Sequence, residues 1–543
     1  MRNTNRICYM ILAGLLMLPI FCLDGLAQSQ IPHLKKQGTA TQLIVDGKPY
    51  LILGGELHNS TSSSLAYMEP IMQKFSKGHL NTALASVCWD LIEPEEGKFD
   101  FTLVDGAIES AERNNMKLVI LWFGSWKNAV STYAPAWVKT DLKRFPRTKN
   151  KQGKSLEILS TFSDANLEAD ARAFAALMKH IREVDSDHHT VMMIQVQNEV
   201  GVLSESRDRS ELANKAFQSP VPKELMDYLK KNKEKLVPGF LKKWETGGFK
   251  TSGSWEEIFG ASESTDEIFM AWNYARYVGK VAETGKAQYP LPMFANVWLA
   301  DWTVASPMKP GSYPSGGPLP YVMDVWNAGA PQIDILAPDI YSNFEERCAL
   351  YTRPNNPLFI PEMIRETRTC SVIFYALGQF DAMGFSPFGM ESLPDFSEEI
   401  GKSYELLGQI APVILEHQGK GLIGGELLDK DHQTKSLKVG DYTLELGIAR
   451  HYSFTTPEYP AGIFIQTGPD EYLVAGRGMT IKFKPNTPGD PIVGIISAEE
   501  GVYKDGKWIA GRRLNGDQIL SGSGIRLRGD YYMIQKVKLY RYK

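Results

Sequence analysis

The chain has 543 residues, 43% hydrophobic and 22% charged, with 59 basic against 63 acidic side chains and a net charge of −4. This ordinary globular composition excludes a disordered, collagen-like or disulfide-scaffold protein. Without a long basic run it also excludes a nucleic-acid binder. Residues 1–27 read as a targeting segment. Arg2 and Arg6 precede an apolar run from Ile7 to Leu23, and Gly25 and Ala27 are small residues suited to cleavage before Gln28. They predict an exported protein, periplasmic or secreted. Lipidation at Cys22 is the alternative, opposed by the bulky Phe21 in front of it. No later apolar run approaches the ~18–20 residues of a membrane span. The cysteines beyond the leader, Cys88, Cys348 and Cys370, are odd in number and sparse, and read as buried small hydrophobes; a Cys348–Cys370 pair stays open.

From about residue 38 to 395, short apolar runs alternate with longer amphipathic segments. The strand-like runs are Tyr50–Gly55, Thr82–Cys88, Lys117–Phe123, Val191–Gln197, Pro292–Trp298, Ile333–Ala337, Leu358–Ile360 and Ala382–Ser386. Helix-like stretches lie between them, among them Leu65–Lys77, Leu103–Asn114, Leu167–Glu183, Glu267–Gln288, Tyr321–Asn327 and Val372–Phe380. Near-continuous apolar strands alternating with helices mean a parallel sheet covered on both faces. Eight units without a glycine-rich phosphate turn after the first strand favour a closed (β/α)8 TIM barrel over a doubly wound sheet. The barrel is placed at 28–418. It carries an insertion at 202–266, read as a lid, a subunit contact or a solvated excursion, and a Pro/Gly/Ser-rich loop at 299–318. After a last helix near Glu398–Leu415, short alternating runs with turn signals such as Asp505-Gly506 predict a C-terminal all-β, sandwich-like domain over 419–543.

Barrel enzymes carry their working residues at the C-terminal ends of the strands. Past strand four come Gln197-Asn198-Glu199-Val200-Gly201, and past strand seven Ile360-Pro361-Glu362. Two glutamates on one rim match the needs of glycosidic cleavage: a protonated acid for the leaving oxygen, and an anion to meet the positive charge developing at the anomeric carbon. Glu199 and Glu362 are therefore the candidate catalytic pair for these two roles. Glu56 and His58 end strand one, Trp89 follows strand two, Lys127 and Asn128 follow strand three, Asn198 precedes Glu199, Trp298 ends strand five and Tyr341 ends strand six; all eight are candidate sugar contacts. No H-x-x-x-H helix or C-x-x-C pair is present, so neither a metal site nor another cofactor is expected.

The run Trp89-Asp90-Leu91-Ile92-Glu93-Pro94-Glu95-Glu96-Gly97-Lys98-Phe99-Asp100-Phe101 resembles the segment after strand two in glycoside hydrolase family 35, the β-galactosidases. Gln197–Gly201 is similar to that family's acid/base motif, Gly55-Glu56-Leu57-His58 to its strand-one turn, and Pro135-Ala136-Trp137 to its P-x-W. The resemblance covers about residues 45–395. It implies a retaining β-galactosidase acting on terminal β-linked sugars, with Glu199 as acid/base, Glu362 as nucleophile, Asn198 on the sugar's 2-hydroxyl and Tyr341 bonded to the nucleophile. The chain departs from the pattern at Asp90, Ile92, Gln197, Val200 and Ser125. Ser125 stands where the family has a sugar-holding glutamate, for which Lys127 and Asn128 are the substitutes at hand. The sugar is thus left open between galactoside, arabinoside and glucoside, with a non-catalytic glycan-binding barrel as the competing class. The expected partner is a carbohydrate, and a second copy of the chain stays open as another. The C-terminal domain is expected to serve packing or assembly.

Overall fold

The computed structural model describes residues 30–299, 308–393 and 399–543. The leader 1–27 and residues 300–307 of the predicted 299–318 loop lie outside the described residues. Eight strands, Ile52–Glu56, Thr82–Cys88, Lys117–Phe123, Val191–Val196, Met293–Trp298, Ile335–Ile340, Ile360–Met363 and Gly384–Pro387, close into a barrel in chain order. Every neighbouring pair is parallel. The helices between them form the outer layer, and the two longest, Asp164–Asp185 and Glu263–Gln288, pack on each other. The strands are apolar along their length because both faces are covered, as the eight-unit pattern requires.

Strands six and seven begin and end later than the sequence pattern indicates. Pro338 and Pro361 look like stops, yet both lie inside strands. Asp339 and Glu362 are consequently strand residues in direct register, Asp339 opposite Glu362 and Trp298 opposite Asp339. The N-terminus holds a further difference. His33–Gln37, Ala40–Val45 and Lys48–Tyr50 form a small antiparallel sheet ahead of the barrel. Its second hairpin turns at Asp46-Gly47, both with positive φ (51° and 74°), the backbone that a two-residue turn demands. Leu43 and Val45 from this sheet join Ile52, Leu84, Val119, Met193, Phe294 and Phe359 in an apolar cluster that fills the barrel away from the glutamate rim.

The 202–266 insertion is not a solvated excursion. It folds as four short helices, Glu211–Gln218, Lys223–Lys231, Pro238–Thr246 and Trp255–Phe259, around fully buried Leu225, Phe240, Trp244, Trp255 and Phe259. The C-terminal part is a sandwich of a six-stranded and a four-stranded antiparallel sheet. Leu444 and Leu446 from one sheet and Phe464, Val474 and Val537 from the other share its core. The six-stranded sheet is buried on its second face too, where Ile463, Ile465 and Leu473 join the main core of the barrel. Helix Thr369–Phe380 approaches strand Ile423–Leu427 so closely that a Cβ on Gly425 would lie 1.9 Å from the Phe374 carbonyl oxygen. Cys88, Cys348 and Cys370 are all buried and free, so the Cys348–Cys370 pair does not form. No described helix is long and apolar enough to cross a membrane.

Candidate active site

At the C-terminal rim of the barrel a cavity of about 280 Å³ is lined by Asn128, Glu199, Trp298, Leu299, Asp339, Tyr341, Ser342 and Glu362. That is near the lower end, ~300 Å³, of small-molecule sites. Its carboxyls are buried while its aromatics open to solvent: Glu199 is 5% and Glu362 7% exposed, against 39% for Trp298 and 48% for Tyr341.

Glu199 is delivered by a contorted turn. Gln197 (φ 66°) and Glu199 (φ 46°) both take left-handed backbone, which L side chains adopt at a cost of about 1–3 kcal/mol each. Hydrogen bonds hold the turn in place. Gln197 donates to Asp170 Oδ2 at 2.7 Å and accepts from Trp126 N at 3.0 Å, while Asn198 N donates to the Trp126 carbonyl at 3.2 Å. The Glu199 amide donates to Asn296 Oδ1 at 3.0 Å. The alternation sends Gln197 into the protein and Glu199 into the cavity. Asn128, itself left-handed (φ 50°), donates Nδ2 to Glu199 Oε2 at 2.7 Å. Across the cavity, the Tyr341 hydroxyl donates to Glu362 Oε1.

One carboxyl oxygen each from Glu199, Asp339 and Glu362 lie within 4.8 Å of one another. Glu56 is buried close enough to both glutamates for their charges to interact, and Lys127 is the cation that offsets all three glutamates. Among the described residues these three glutamates and Asp339 share the site with one lysine, and four such carboxyls cannot all ionise where the dielectric is low. Burial, reinforced by the negative charge of Glu362, pushes Glu199 up to about 7. Burial also raises Glu362, against the pull of Lys127 and the Tyr341 hydroxyl. Glu56 and Asp339 are driven well above the carboxylate range, by burial first and then by Glu362. The arrangement therefore sets a proton-holding acid, Glu199, beside a second carboxyl whose ionised form Lys127 and the Tyr341 hydroxyl favour. The spacing of the three oxygens would suit a hard cation, but Lys127 already supplies positive charge there, and Asn128 and Tyr341 donate to two of the three carboxyls. We assign no metal ligands among the described residues.

Of the residues singled out in the sequence, Glu199, Glu362, Asn128, Trp298 and Tyr341 line the cavity. Glu56 and Lys127 are buried and act on it through charge. Asn198 accepts from Asn128 N at 3.4 Å, and its Nδ2 has no acceptor among the described residues. Two candidates are displaced. Trp89 is fully buried, its indole donating to Glu93 Oε2 at 2.7 Å and packing edge-on against Trp137. His58 is held by Ser392 Oγ at 2.7 Å and by the edge of Phe388. Neither lines the cavity, because each satisfies its polar atom within the fold. The tryptophan-to-phenylalanine motif and the P-x-W motif meet in the same buried contact, with Trp137 donating to the Glu93 carbonyl at 3.1 Å, so their role here is structural. Ser125 is likewise turned inward, 2.8 Å from the Tyr277 hydroxyl. Asn296 escaped the sequence reading. Its only signal was a lone amide in the apolar run Phe294–Trp298, two residues before Trp298 and so on the same side of the strand.

Residues 62–273 match the family model of glycoside hydrolase family 42, described as Beta-galactosidase. Residues 400–526 match one described as a domain of unknown function (DUF5597). Beta-galactosidase 11 of Arabidopsis thaliana is 31% identical over 165 residues, 29% of this chain and 18% of that protein. The Beta-galactosidase of Xanthomonas manihotis is 31% identical over 176 residues, 31% of this chain and 27% of that protein. The matched stretch thus spans about a quarter or less of these relatives' length. Among solved structures, the β-galactosidase from Bacillus circulans sp. alkalophilus aligns with a TM-score of 0.49 at 12% identity, covering 90% of this chain and 99% of that one. The barrel is similar to β-galactosidase-type glycoside hydrolases; the matched model is that of family 42, and these matches do not confirm family 35.

Proposed function

We propose that the protein is a retaining, exo-acting β-glycosidase, in its most direct form a β-galactosidase that removes terminal β-galactosyl residues by double displacement. The observation that carries this reading is the pair Glu199 and Glu362. Their oxygens come within 4.8 Å on one rim, with Glu199 pushed up to about 7 and the rise that burial imposes on Glu362 opposed by Lys127 and Tyr341. Carboxyls about 5–5.5 Å apart belong to direct nucleophilic attack; inversion through an intervening water needs about 6.5–9.5 Å. Glu362 attacks the anomeric carbon while Glu199 protonates the departing oxygen. Glycosylation removes the charge of Glu362, so Glu199 becomes more acidic and serves as base toward water. Trp298 offers its exposed ring to the sugar face, and Asn198 a free amide to a hydroxyl.

The inward turn of Ser125 favours a second sugar as an alternative, since the position expected to grip the sugar does not reach the cavity. Purified protein would be assayed on aryl β-galactoside, β-glucoside, β-xyloside and α-arabinoside, with the product anomer followed by NMR. Turnover with net retention is expected. Silence on all four would favour a glycan-binding barrel, and net inversion would rule out the double displacement. Export is part of the proposal, and a mature N-terminus at Gln28 is its check. The sandwich is assigned a packing role, supported by its sheet being buried against the barrel; retention of the full chain, but not a 28–418 truncation, on a polysaccharide gel would overturn that.

A further inference from the structure

Asp339 sits at the centre of the carboxyl cluster, yet neither step above uses it. It lines the cavity, is 1% exposed, and stands in register between Trp298 and Glu362 on the neighbouring strands. The orientation of Asn296 fixes what each of its oxygens does. A backbone N–H can only donate, so the Asn296 atom that meets Glu199 N is the carbonyl Oδ1, and the atom 2.7 Å from Asp339 Oδ2 is the donating Nδ2. Asp339 Oδ2 is therefore committed as an acceptor. Oδ1 is buried and receives no hydrogen bond from any other described residue.

One Asp339 carboxyl oxygen also lies within 4.8 Å of one from Glu199 and one from Glu362, and buried carboxyls this close are relieved when one of them keeps a proton. The surroundings decide which one keeps it. Glu199 has Asn128 and the charge of Lys127 to support an anion, and Glu362 has Tyr341 and Lys127. Among the described residues Asp339 has only the Asn296 amide as a donor, and it faces the negative charges of Glu362, Glu199 and Glu56. On the helix behind it, Phe344–Tyr351, the near group is the neutral phenol of Tyr351, which the Arg347 guanidinium also faces. Tyr341, on the cavity side, is a phenol engaged with Glu362.

We propose that Asp339 is a positioning residue that works as a neutral carboxylic acid, keeping a proton on Oδ1 and donating it as a hydrogen bond to Glu199. The inference rests on Glu199 being the acid/base. When Glu199 gives its proton to the leaving oxygen, the Asp339 O–H stabilises the carboxylate that results. When Glu199 takes a proton from water, the same O–H still points at it. Asp339 stays neutral throughout, and no proton is consumed or released at it. Asn296, bonded to both the Glu199 backbone and the Asp339 side chain, sets the distance between them.

The test compares Asp339→Asn with Asp339→Ala. Asn keeps a neutral donor of the same shape, so kcat/KM should stay within about tenfold of the parent, with the basic limb of its pH profile unmoved. Ala removes the donor: kcat/KM should fall by about 10- to 100-fold, the order of one hydrogen bond to a charged group. The basic limb should then move up in pH, because Glu199 loses a group that favours its anion. An ionised Asp339 predicts the opposite sign, with the limb moving down in both variants and no rescue by Asn; that result would overturn the proposal. A second measurement needs no turnover. Infrared difference spectra at pH 8 between the parent and D339N should show a protonated-carboxyl band in the parent that the variant lacks. Its absence would refute the neutral acid even if every glycoside were cleaved. Its presence with no glycoside cleaved would leave the neutral acid standing and count against the glycosidase reading instead.

Discussion

The side-chain amide of Asn128 donates to Glu199 Oε2 at 2.7 Å, although the two residues lie on different barrel loops 71 positions apart. This bond favours the ionised form of Glu199 and so holds down a carboxyl that burial pushes up to about 7. Asn128→Ala should raise that value and shift the basic limb of kcat/KM to higher pH. The loss of a hydrogen bond to a charged group, worth ~1.5–3 kcal/mol, should lower kcat/KM by about one to two orders of magnitude. Rate profiles between pH 5 and 9 would show both.

Tyr341 plays the matching part for the nucleophile, donating to Glu362 Oε1. Glu362 must be ionised to attack, and burial already raises it. In Tyr341→Phe it rises further. The acid limb of kcat/KM should move up in pH while the basic limb stays near 7. A limb that does not move would mean that the hydroxyl serves the sugar and not the glutamate.

The two glutamates separate kinetically. With Glu199→Ala, cleavage of unactivated substrates should fall by ~10²–10⁴-fold, the usual worth of general acid catalysis. An activated aryl glycoside should still glycosylate the enzyme, and azide should restore turnover as the β-glycosyl azide. With Glu362→Ala, glycosylation itself should fail, and any rescue should yield the α-azide. Product anomers read by NMR would reverse the assignment if they came out exchanged.

The same carboxyls bear on stability. A carboxyl raised on folding binds its proton more tightly in the native state than in the unfolded chain. Its contribution therefore weakens as pH climbs from the unfolded value, about 4.5, through the folded one. For Glu199 that window runs from about 4.5 to about 7. Glu199→Gln removes the penalty, so its Tm should exceed the parent's by roughly 1–4 °C at pH 8 and by little at pH 4.5. Calorimetry at the two pH values is the check, and an equal gain at both would point away from proton linkage.

The sandwich and the barrel meet where helix Thr369–Phe380 lies on strand Ile423–Leu427. Any Cβ at Gly425 would enter the Phe374 carbonyl, a backbone atom that no rotamer change can move aside. Gly425→Ala should destabilise the protein by at least the ~1–3 kcal/mol typical of overpacking. A lowered Tm, or loss of soluble protein, would register it.

The sequence by itself determined the repeating strand-and-helix order, the all-β end of the chain, and the two strand-end glutamates with Asn128, Trp298 and Tyr341 beside them. Those are local signals: an apolar run buried on both faces, an alternating run buried on one, and a polar residue where a barrel strand meets its loop. The hairpin at Asp46-Gly47 is not legible in the sequence, because its short flanking strands carry too little periodicity to stand out. The tertiary structure alone decided that Trp89 and His58 are spent within the fold, and that Glu56 comes within reach of Glu199 and Glu362. It alone placed Asp339 opposite Glu362 and let Asn296 bridge Asp339 to Glu199. The physical reason is that closing a parallel barrel fixes the register of all eight strands together. Which carboxyl faces which, and hence which must keep its proton, follows from that closure and not from any neighbouring residues in the chain.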